Sequence, residues 1–184
     1  MNLKEHFRGW TAFLDRDGVI NEKLENDYVK NWEEFTFKRG SLEAIVGFAN
    51  IFNRIIIVTN QRGVGFGLMT EAKLNEIHDR MLSEIIKASG RVDRIYYCTA
   101  TDSRAECRKP NIGMGLKAKN DFPEIEFSKS VMIGDSISDM EFGKKLGMKS
   151  IFCSDRLNNE FLGLWDLQFK SLSDFYYEIL GKNN

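Results

Sequence analysis

The chain has 184 residues, enough for one domain with a hydrophobic core and too few for two domains of ordinary size. Apolar residues make up 42% and charged residues 29%, a balance that excludes a mainly disordered or collagen-like chain. Lys and Arg number 26 and Asp and Glu 27, so the net charge of −1 provides no global field to attract nucleic acid or an anionic membrane.

The apolar runs, the first ten residues and the few cysteines and histidines further restrict the class of protein. The longest apolar run is about that of Ile55–Val58, far short of the roughly 20 residues that span a bilayer. Residues 1–10 lack the apolar centre of a signal peptide. The chain has three cysteines, an odd number, which indicates a reduced, cytoplasmic protein. It has only two histidines, which excludes a metal site of three histidines. We expect a single domain over residues 1–184.

Continuous apolar runs predict the strands of a parallel sheet that is covered on both faces. These runs are Thr11–Leu14, Arg54–Thr59, Arg94–Cys98, Val131–Gly134 and Ser150–Cys153. Helical patterns lie between them. Ser41 is the expected cap of one helix and Thr70 of a second that stops at Gly90, and shorter helices are expected at Ile112–Asp121, Ile137–Leu146 and Leu172–Leu180.

Strand–helix alternation predicts an α/β fold, a three-layer sandwich with a mainly parallel central sheet. Only 44 residues separate Asp15 from Thr59, and 50 separate Thr59 from Lys109. Predicted helices and loops fill both intervals, so we expect no separate cap domain and an open site. Because ligands of such sheets bind beyond the carboxyl ends of the strands, the residues after each strand matter most.

The first predicted strand ends in Asp15 and Asp17, which an extended chain points the same way. Two carboxylates suit a hard divalent cation, although a solvated acidic turn is an equal alternative for this pattern alone. The second strand ends in Thr59 and Asn60 before the glycines of residues 63–67, a pattern that either binds phosphate through backbone N–H groups or is a plain flexible loop.

The last two strand ends contribute a cation and a further acid. Lys109 precedes a proline, on a restricted backbone that can hold its charge in place, and Asp135 follows the fourth strand. Considered singly, Lys109 is typical of a solvated surface residue, and Asp135 or Ser136 is typical of a cap on the following helix. The order acid pair, hydroxyl, lysine and acid at successive strand ends is the specific signal.

These segments resemble the haloacid dehalogenase superfamily of phosphotransferases. The nearest likeness is to its small branch of histidinol-phosphate phosphatases and D-glycero-D-manno-heptose 1,7-bisphosphate 7-phosphatases. The segments that carry the resemblance are DRDGVIN (15–21), YVKNWEEFTFKRG (28–40), TNQRGVGFG (59–67), CRKP (107–110) and GDSISDM (134–140).

The resemblance implies a role for each strand-end residue. Asp15 is the expected nucleophile that forms an aspartyl-phosphate, and Asp17 the acid and base, which calls for a raised pKa. Thr59, with help from Asn60, hydrogen-bonds the phosphoryl oxygens, and Lys109 neutralises charge. Mg²⁺ is expected on Asp15, the Asp17 carbonyl oxygen and Asp135. Such two-step transfer divides a very slow hydrolysis into easier steps.

The sequence departs from the branch at two places. Relatives carry a zinc loop before Arg-Lys-Pro, but Ala100 and Ala105 replace two of its ligands here, leaving Cys98 and Cys107. Two thiolates do not complete a tetrahedral site, so we expect no structural zinc. The loop Thr99–Glu106 is then expected to lack a cross-link. Ser136 also replaces the lysine that heptose enzymes carry after the acid of the fourth strand.

Loop residues are expected to choose the substrate. Arg62 and Arg108 are candidates to bind a second anionic group, whereas Arg104 reads as a solvated surface residue. Tyr28, Trp32, Phe35 and Phe37 are candidates to line a sugar site, with core packing expected for most of them. His78 is expected to be a surface or hydrogen-bonded histidine rather than a catalytic one.

The resemblance implies a Mg²⁺-dependent phosphomonoesterase acting on D-glycero-D-manno-heptose 1,7-bisphosphate, with a small phosphorylated sugar as its partner and a monomer or weak homo-oligomer as its state. Histidinol phosphate and the 3′-phosphate end of a polynucleotide are alternative substrates, the latter opposed by the neutral charge. A non-catalytic phosphate-binding protein is an alternative of another class, which does not need Asp17.

Overall fold

Six parallel strands form one sheet within residues 3–154 and 163–181, the part of the chain that this computed structural model describes. The strands are β1 Thr11–Leu14, β2 Arg54–Asn60, β3 Arg94–Cys98, β4 Ser130–Gly134, β5 Lys149–Cys153 and β6 Leu167–Phe169. Their spatial order is β3-β2-β1-β4-β5-β6. In the register, Thr11 of β1 lies opposite Arg54 of β2 and Ser130 of β4, so β1 stands between the two halves of the sheet.

Helices cover both faces of the sheet. They are α1 Leu3–Phe7, α2 Ser41–Phe48, α3 Arg62–Gly65, α4 Glu71–Lys87, α5 Gly113–Asp121, α6 Ile137–Leu146 and α7 Leu172–Ile179, with 3₁₀ turns at Trp32–Glu34 and Phe127–Lys129. Among the helices described, none combines the length and the apolar character needed to cross a membrane.

Alternate residues of each strand pack into separate cores on the two faces. Ala12 and Leu14 of β1 join one core with side chains of α1, α2, α4 and α7, while Phe13 joins the other with side chains of α5 and α6. All three side chains are fully buried. This arrangement is the predicted three-layer sandwich, and it explains why the strands read as unbroken apolar runs.

The five predicted strands are confirmed to within one residue at each end. Strand β6 escapes prediction because it is three residues long and only partly buried. Thr70 caps α4 as expected, since its side chain accepts a hydrogen bond from the Lys73 N–H. The expected Ser41 cap is wrong: Gly40 takes that position with a φ of 75°, and the Ser41 hydroxyl donates instead to the Ile20 carbonyl at 2.7 Å.

The segment between β1 and α2 folds over the carboxyl ends of the strands. Isolated bridges join Asn21 to Asp17 and to Phe37. Phe35 is buried in the core and stacks on Trp32 at 4.9 Å, so packing is confirmed as the role of these two rings. Tyr28 differs, because it lines the cavity at the strand ends.

Candidate active site

The carboxyl ends of the strands enclose a cavity of about 210 Å³. Six of the eight predicted site residues line it: Asp15, Asp17, Thr59, Asn60, Arg108 and Lys109. They come together because β1 pairs with β2 on one side and with β4 on the other, which makes its end the switch point of the sheet. Asp135 and Arg62 lie beside this cavity rather than in its wall.

Gly18 lets the chain turn away directly after the two acids. Its φ is 90°, and a Cβ built on it would lie 2.1 Å from an Asp135 carboxylate oxygen. Any other residue would strain the turn and collide with Asp135. The glycine therefore allows the end of β1 to approach the acid that follows β4.

Lys109 is the central cation of the site and is almost completely buried. Its ammonium lies 2.9 Å from an oxygen of Asp15 and 2.6 Å from one of Asp139, and it donates to the Val58 carbonyl at 2.7 Å. Burial alone lowers the pKa of Lys109, but the charges of Asp139 and Asp15 outweigh it and raise the pKa, so the lysine stays charged.

The backbone of Lys109 is anchored as firmly as its side chain. Its N–H donates to the Asn60 side-chain oxygen at 3.0 Å, and the Asn60 amide donates back to the Lys109 carbonyl at 3.1 Å. The Lys109–Pro110 peptide bond is cis. The Asn60 side chain thus joins the end of β2 to the loop that carries Lys109 by two hydrogen bonds.

Asp15, Asp135 and Asp139 form an acidic cluster whose ligand atoms lie within 4.8 Å of one another. Burial and the charge of Asp139 raise the pKa of Asp15 to about 7 despite Lys109. Asp135 also has a raised pKa, chiefly through burial, and its Oδ1 is buried without a hydrogen-bond partner among the described residues. Crowded carboxylates with an unpartnered oxygen fit a divalent cation with oxygen ligands.

Asp139 was not among the predicted ligands. The Ser136 N–H and hydroxyl donate to its Oδ2 at 3.0 and 2.6 Å, which turns the other oxygen toward Lys109. The sequence signal was the acid one helical turn after Asp135, where α6 begins. A capping role explains the same spacing, so only the packing reveals that Asp139 belongs to the cluster.

Asp17 differs from the expectation. Its pKa is lowered, not raised: burial opposes ionisation, but the Arg16 charge and hydrogen bonds from Arg16, Asn21 and Gln61 outweigh it. The predicted raised pKa is therefore wrong for this state of the protein. The side chain is a carboxylate, 23% exposed, at the wall of the cavity.

Thr59 is buried, and its hydroxyl oxygen accepts from the Gln61 amide at 2.9 Å. With the oxygen engaged as acceptor, the hydroxyl proton stays available for donation into the cavity. Gln61 also donates to Asp17 at 2.8 Å, so one amide orients both side chains.

Arg62 and Arg108 form a pair of cations, of which Arg108 lines the cavity and Arg62 lies beside it. Arg62 donates to the Thr101 carbonyl at 3.3 Å, and Arg108 to the Ala100 carbonyl at the same distance. Burial, followed by the charge of Arg62, lowers the pKa of Arg108. The Arg62 Nε is buried and has no hydrogen-bond partner among the residues described. Two close guanidinium groups with an unused donor fit an anion.

Lys23 is a further cation that the sequence analysis missed. It lines the cavity, and its ammonium lies 3.0 Å from Asp135 Oδ2. Burial lowers the pKa of Lys23, but the charge of Asp135, the hydrogen bond to it and the charges of Asp15 and Asp139 outweigh burial and raise the pKa. Lys23 lies in a stretch of mixed charges, and no pattern in the sequence there predicts a contact with the acid after β4.

Cys98 and Cys107 are joined in a disulfide, with their Cα atoms 5.5 Å apart. The loop between them is therefore cross-linked, and the expectation that it lacks a cross-link is wrong. The expectation of reduced cysteines is also wrong for this pair. Cys153 is free and buried. The absence of zinc stays a prediction.

Comparisons with known proteins agree with this geometry. A family model described as HAD-hyrolase-like matches residues 106–155. The chain is similar to two enzymes named D-glycero-alpha-D-manno-heptose-1,7-bisphosphate 7-phosphatase. It is 36% identical to that of Campylobacter jejuni, over 88% of this chain and 91% of the relative. It is 35% identical to that of Mycobacterium tuberculosis, over 79% of this chain and 77% of the relative. A solved D,D-heptose 1,7-bisphosphate phosphatase from B. bronchiseptica, complexed with magnesium and phosphate, superposes with a TM-score of 0.80 at 26% identity over 95% and 99% of the two chains.

Proposed function

The chain belongs to the D-glycero-D-manno-heptose-1,7-bisphosphate 7-phosphatase family of the haloacid dehalogenase superfamily, and on that premise we propose that it hydrolyses the C7 phosphate of this bisphosphate. The observation that carries the proposal is the buried Lys109 ammonium between Asp15 and Asp139, directly beside a cation-binding acidic cluster. A binding protein needs no such buried, charged arrangement around a carboxylate that is accessible from a cavity.

In the first step, an Asp15 carboxylate oxygen attacks phosphorus and the bond to the C7 oxygen breaks. Phosphoryl transfer leaves little covalent work to the protein, so positioning and charge neutralisation supply most of the rate. Lys109 lies within 2.9 Å of the attacking group, and the Thr59 hydroxyl proton is free to bind a phosphoryl oxygen. Both groups are held before substrate arrives.

Asp17 then serves both transfers. Its ionised form in the structure is the one that takes a proton from the water that hydrolyses the aspartyl-phosphate. For the first step it has to carry a proton to the leaving C7 oxygen. The negative charge of an incoming phosphate raises the pKa of a nearby carboxyl, which favours that uptake.

Asp15, Asp135 and Asp139, together with the Asp17 main-chain carbonyl, are the residues that would hold Mg²⁺. When bound, the ion supplies positive charge that lets Asp15 ionise and that polarises the phosphoryl oxygens.

Arg62 and Arg108 are proposed to bind the second phosphate, at C1. Bidentate guanidinium contacts suit phosphate, Arg108 lines the cavity, and Arg62 is near enough for its charge to act on Arg108. The two relatives with 35% and 36% identity act on the alpha anomer according to their names, so we propose the α-1,7-bisphosphate as substrate.

The test is phosphate release with Mg²⁺ from both anomers of the heptose 1,7-bisphosphate, from histidinol phosphate and from a 3′-phosphorylated oligonucleotide. We expect the α-bisphosphate to have the highest kcat/KM, at least about 100-fold above histidinol phosphate, because two phosphates are bound. Equal or faster hydrolysis of histidinol phosphate would overturn the substrate assignment. Full activity of an Asp15→Asn variant would overturn the chemistry.

A further inference from the structure

Behind the cavity, the carboxylate of Asp17 is held by a buried arginine. Arg16 Nη2 lies 2.8 and 2.9 Å from the two oxygens of Asp17, and its Nε lies 3.2 Å from Oδ1. Asn21 donates to Oδ1 at 2.9 Å and Gln61 to Oδ2 at 2.8 Å. Arg16 makes more contacts to Asp17 than either amide does, so the position of the guanidinium plane helps to set the orientation of Asp17.

The guanidinium of Arg16 is fully buried, although a charged side chain is rarely buried without partners. One edge of it meets Asp17. On the other edge, Nη1 lies 3.2 Å from His78 Nε2, across 62 residues of sequence. Contacts at both edges restrict the rotation of a planar guanidinium, so His78 helps to hold the plane that contacts Asp17.

His78 fits an accepting role. An arginine only donates, so His78 Nε2 has to accept, which requires the neutral ring with its proton on Nδ1. Burial and the charge of Arg16 lower the pKa of His78 to about 3, so the ring stays neutral. The histidine is 4% exposed on α4, with the ring of Tyr97 5.5 Å away. It does not line the cavity and touches no reacting atom.

We propose that His78 is a positioning residue: through Arg16 it sets the orientation in which Asp17 passes a proton to the leaving oxygen. The inference rests on the proposed phosphatase function. In the affected step the Asp15 oxygen–phosphorus bond forms and the phosphorus–leaving-oxygen bond breaks, and the Asp17 carboxyl proton ends on the leaving oxygen. Loss of the acceptor on His78 frees the Arg16 plane and misaligns this transfer.

Leaving-group dependence separates this role from a merely structural one. An alkyl oxygen needs the Asp17 proton as it leaves, whereas p-nitrophenolate leaves as a stable anion. We therefore compare His78→Leu, which has no acceptor, with His78→Gln, whose amide oxygen restores one. The two reactions are followed in a single turnover, as release of the heptose 1-phosphate from the bisphosphate and of p-nitrophenolate from p-nitrophenyl phosphate. This isolates the first step from the hydrolysis of the aspartyl-phosphate.

General acid catalysis contributes about 10²- to 10⁴-fold, so partial misalignment in His78→Leu should slow the sugar reaction by about 10- to 100-fold. On the same basis the p-nitrophenyl reaction should change by less than about threefold, and His78→Gln should restore the sugar reaction to within about threefold. Nη1 of Arg16 is the atom that contacts His78, so its N–H signals in ¹⁵N NMR should exchange with water slowly in wild type and His78→Gln and faster in His78→Leu.

Equal loss with both esters, or no loss with either, would overturn the inference. Met81→Ala is the matched control, because Met81 is fully buried on the same helix and contributes only packing. It should lower Tm and leave the ratio of the two rates unchanged. An active wild type with an unchanged ratio in both His78 variants overturns this inference alone. A wild type that hydrolyses neither ester overturns the proposed function and this inference with it.

Discussion

The inner cluster and the rim of the cavity are built in opposite ways. The inner cluster consists of Asp15, Lys109, Asp135 and Asp139, which are buried or nearly so, and ion pairs join Lys109 to Asp15 and Asp139. The rim consists of Lys23, Tyr28 and Arg108, which lie on loops, and Arg62, which begins α3; all four are partly or largely exposed. Groups that handle the phosphoryl group need a fixed geometry and a dry environment, whereas groups that select the rest of the substrate need reach and access.

Asp15→Asn tests the inner cluster with the largest expected effect. The amide cannot attack phosphorus, so kcat should fall by at least about 10⁴-fold with every phosphate ester. Steady-state phosphate release on the heptose bisphosphate and on p-nitrophenyl phosphate measures this. Retention of more than a thousandth of the activity would show that another group is the nucleophile.

Arg108→Ala tests the rim. Losing a charged contact to the second phosphate should lower kcat/KM for the bisphosphate by about 10- to 100-fold. The same change should affect sugar monophosphates by no more than about threefold. Arg104→Ala is the control, since Arg104 is on the same loop, exposed, and paired only with Asp102 in the described chain. Equal losses for bisphosphate and monophosphate would remove Arg108 from substrate selection.

Lys23→Met tests the ion pair that joins the rim to the inner cluster, between Lys23 and Asp135. The Lys23 ammonium occupies an oxygen of Asp135, so a cation has to compete with it. Because Lys23 is half exposed, the ion pair is worth less than about 1 kcal/mol, and Mg²⁺ should bind about two- to fivefold more tightly to the variant. Isothermal titration calorimetry measures this. Lys73→Met removes the same charge from the exposed part of α4 and should leave Mg²⁺ binding unchanged; weaker binding by Lys23→Met would contradict the competition.

The stability of the inner cluster should depend on pH when metal is removed. The pKa of Asp15 is about 7 in the folded chain, against 3.8 in its unperturbed state, so ionisation of Asp15 destabilises the fold as pH rises through this range. In EDTA, Asp15→Asn should melt a few degrees above wild type at pH 8, and the difference should shrink toward pH 4. Asp102→Asn, a change at an exposed carboxylate, should show no such trend. A constant difference at both pH values would contradict the assigned cause.

Much of the fold was predictable because its signals are local. A parallel strand buried on both faces reads as an unbroken apolar run, and the five central strands were predicted within one residue. The carboxyl ends of parallel strands share an edge, so Asp15, Thr59 and Asp135 were expected to converge. Strand β6 lacks this signal, since it is short and only partly buried.

Other features arise from partners far apart in sequence, and no local pattern marks them. Asp139 reads equally well as a helix-capping acid until its second oxygen is seen beside Lys109. The lowered pKa of Asp17 depends on Gln61, 44 residues away, as well as on its neighbour Arg16. The bond between Cys98 and Cys107 depends on how the loop after β3 returns to its start.

The sequence by itself determined which chemical groups stand at the strand ends and, through their order, the family and its chemistry. The tertiary structure alone decided their charge states and their partners: an ionised Asp17, an Asp15 with a raised pKa, and a histidine that orients an arginine. The physical reason is that chain direction and burial patterns act over a few residues, whereas a pKa reflects every charge and donor brought within several ångströms by folding.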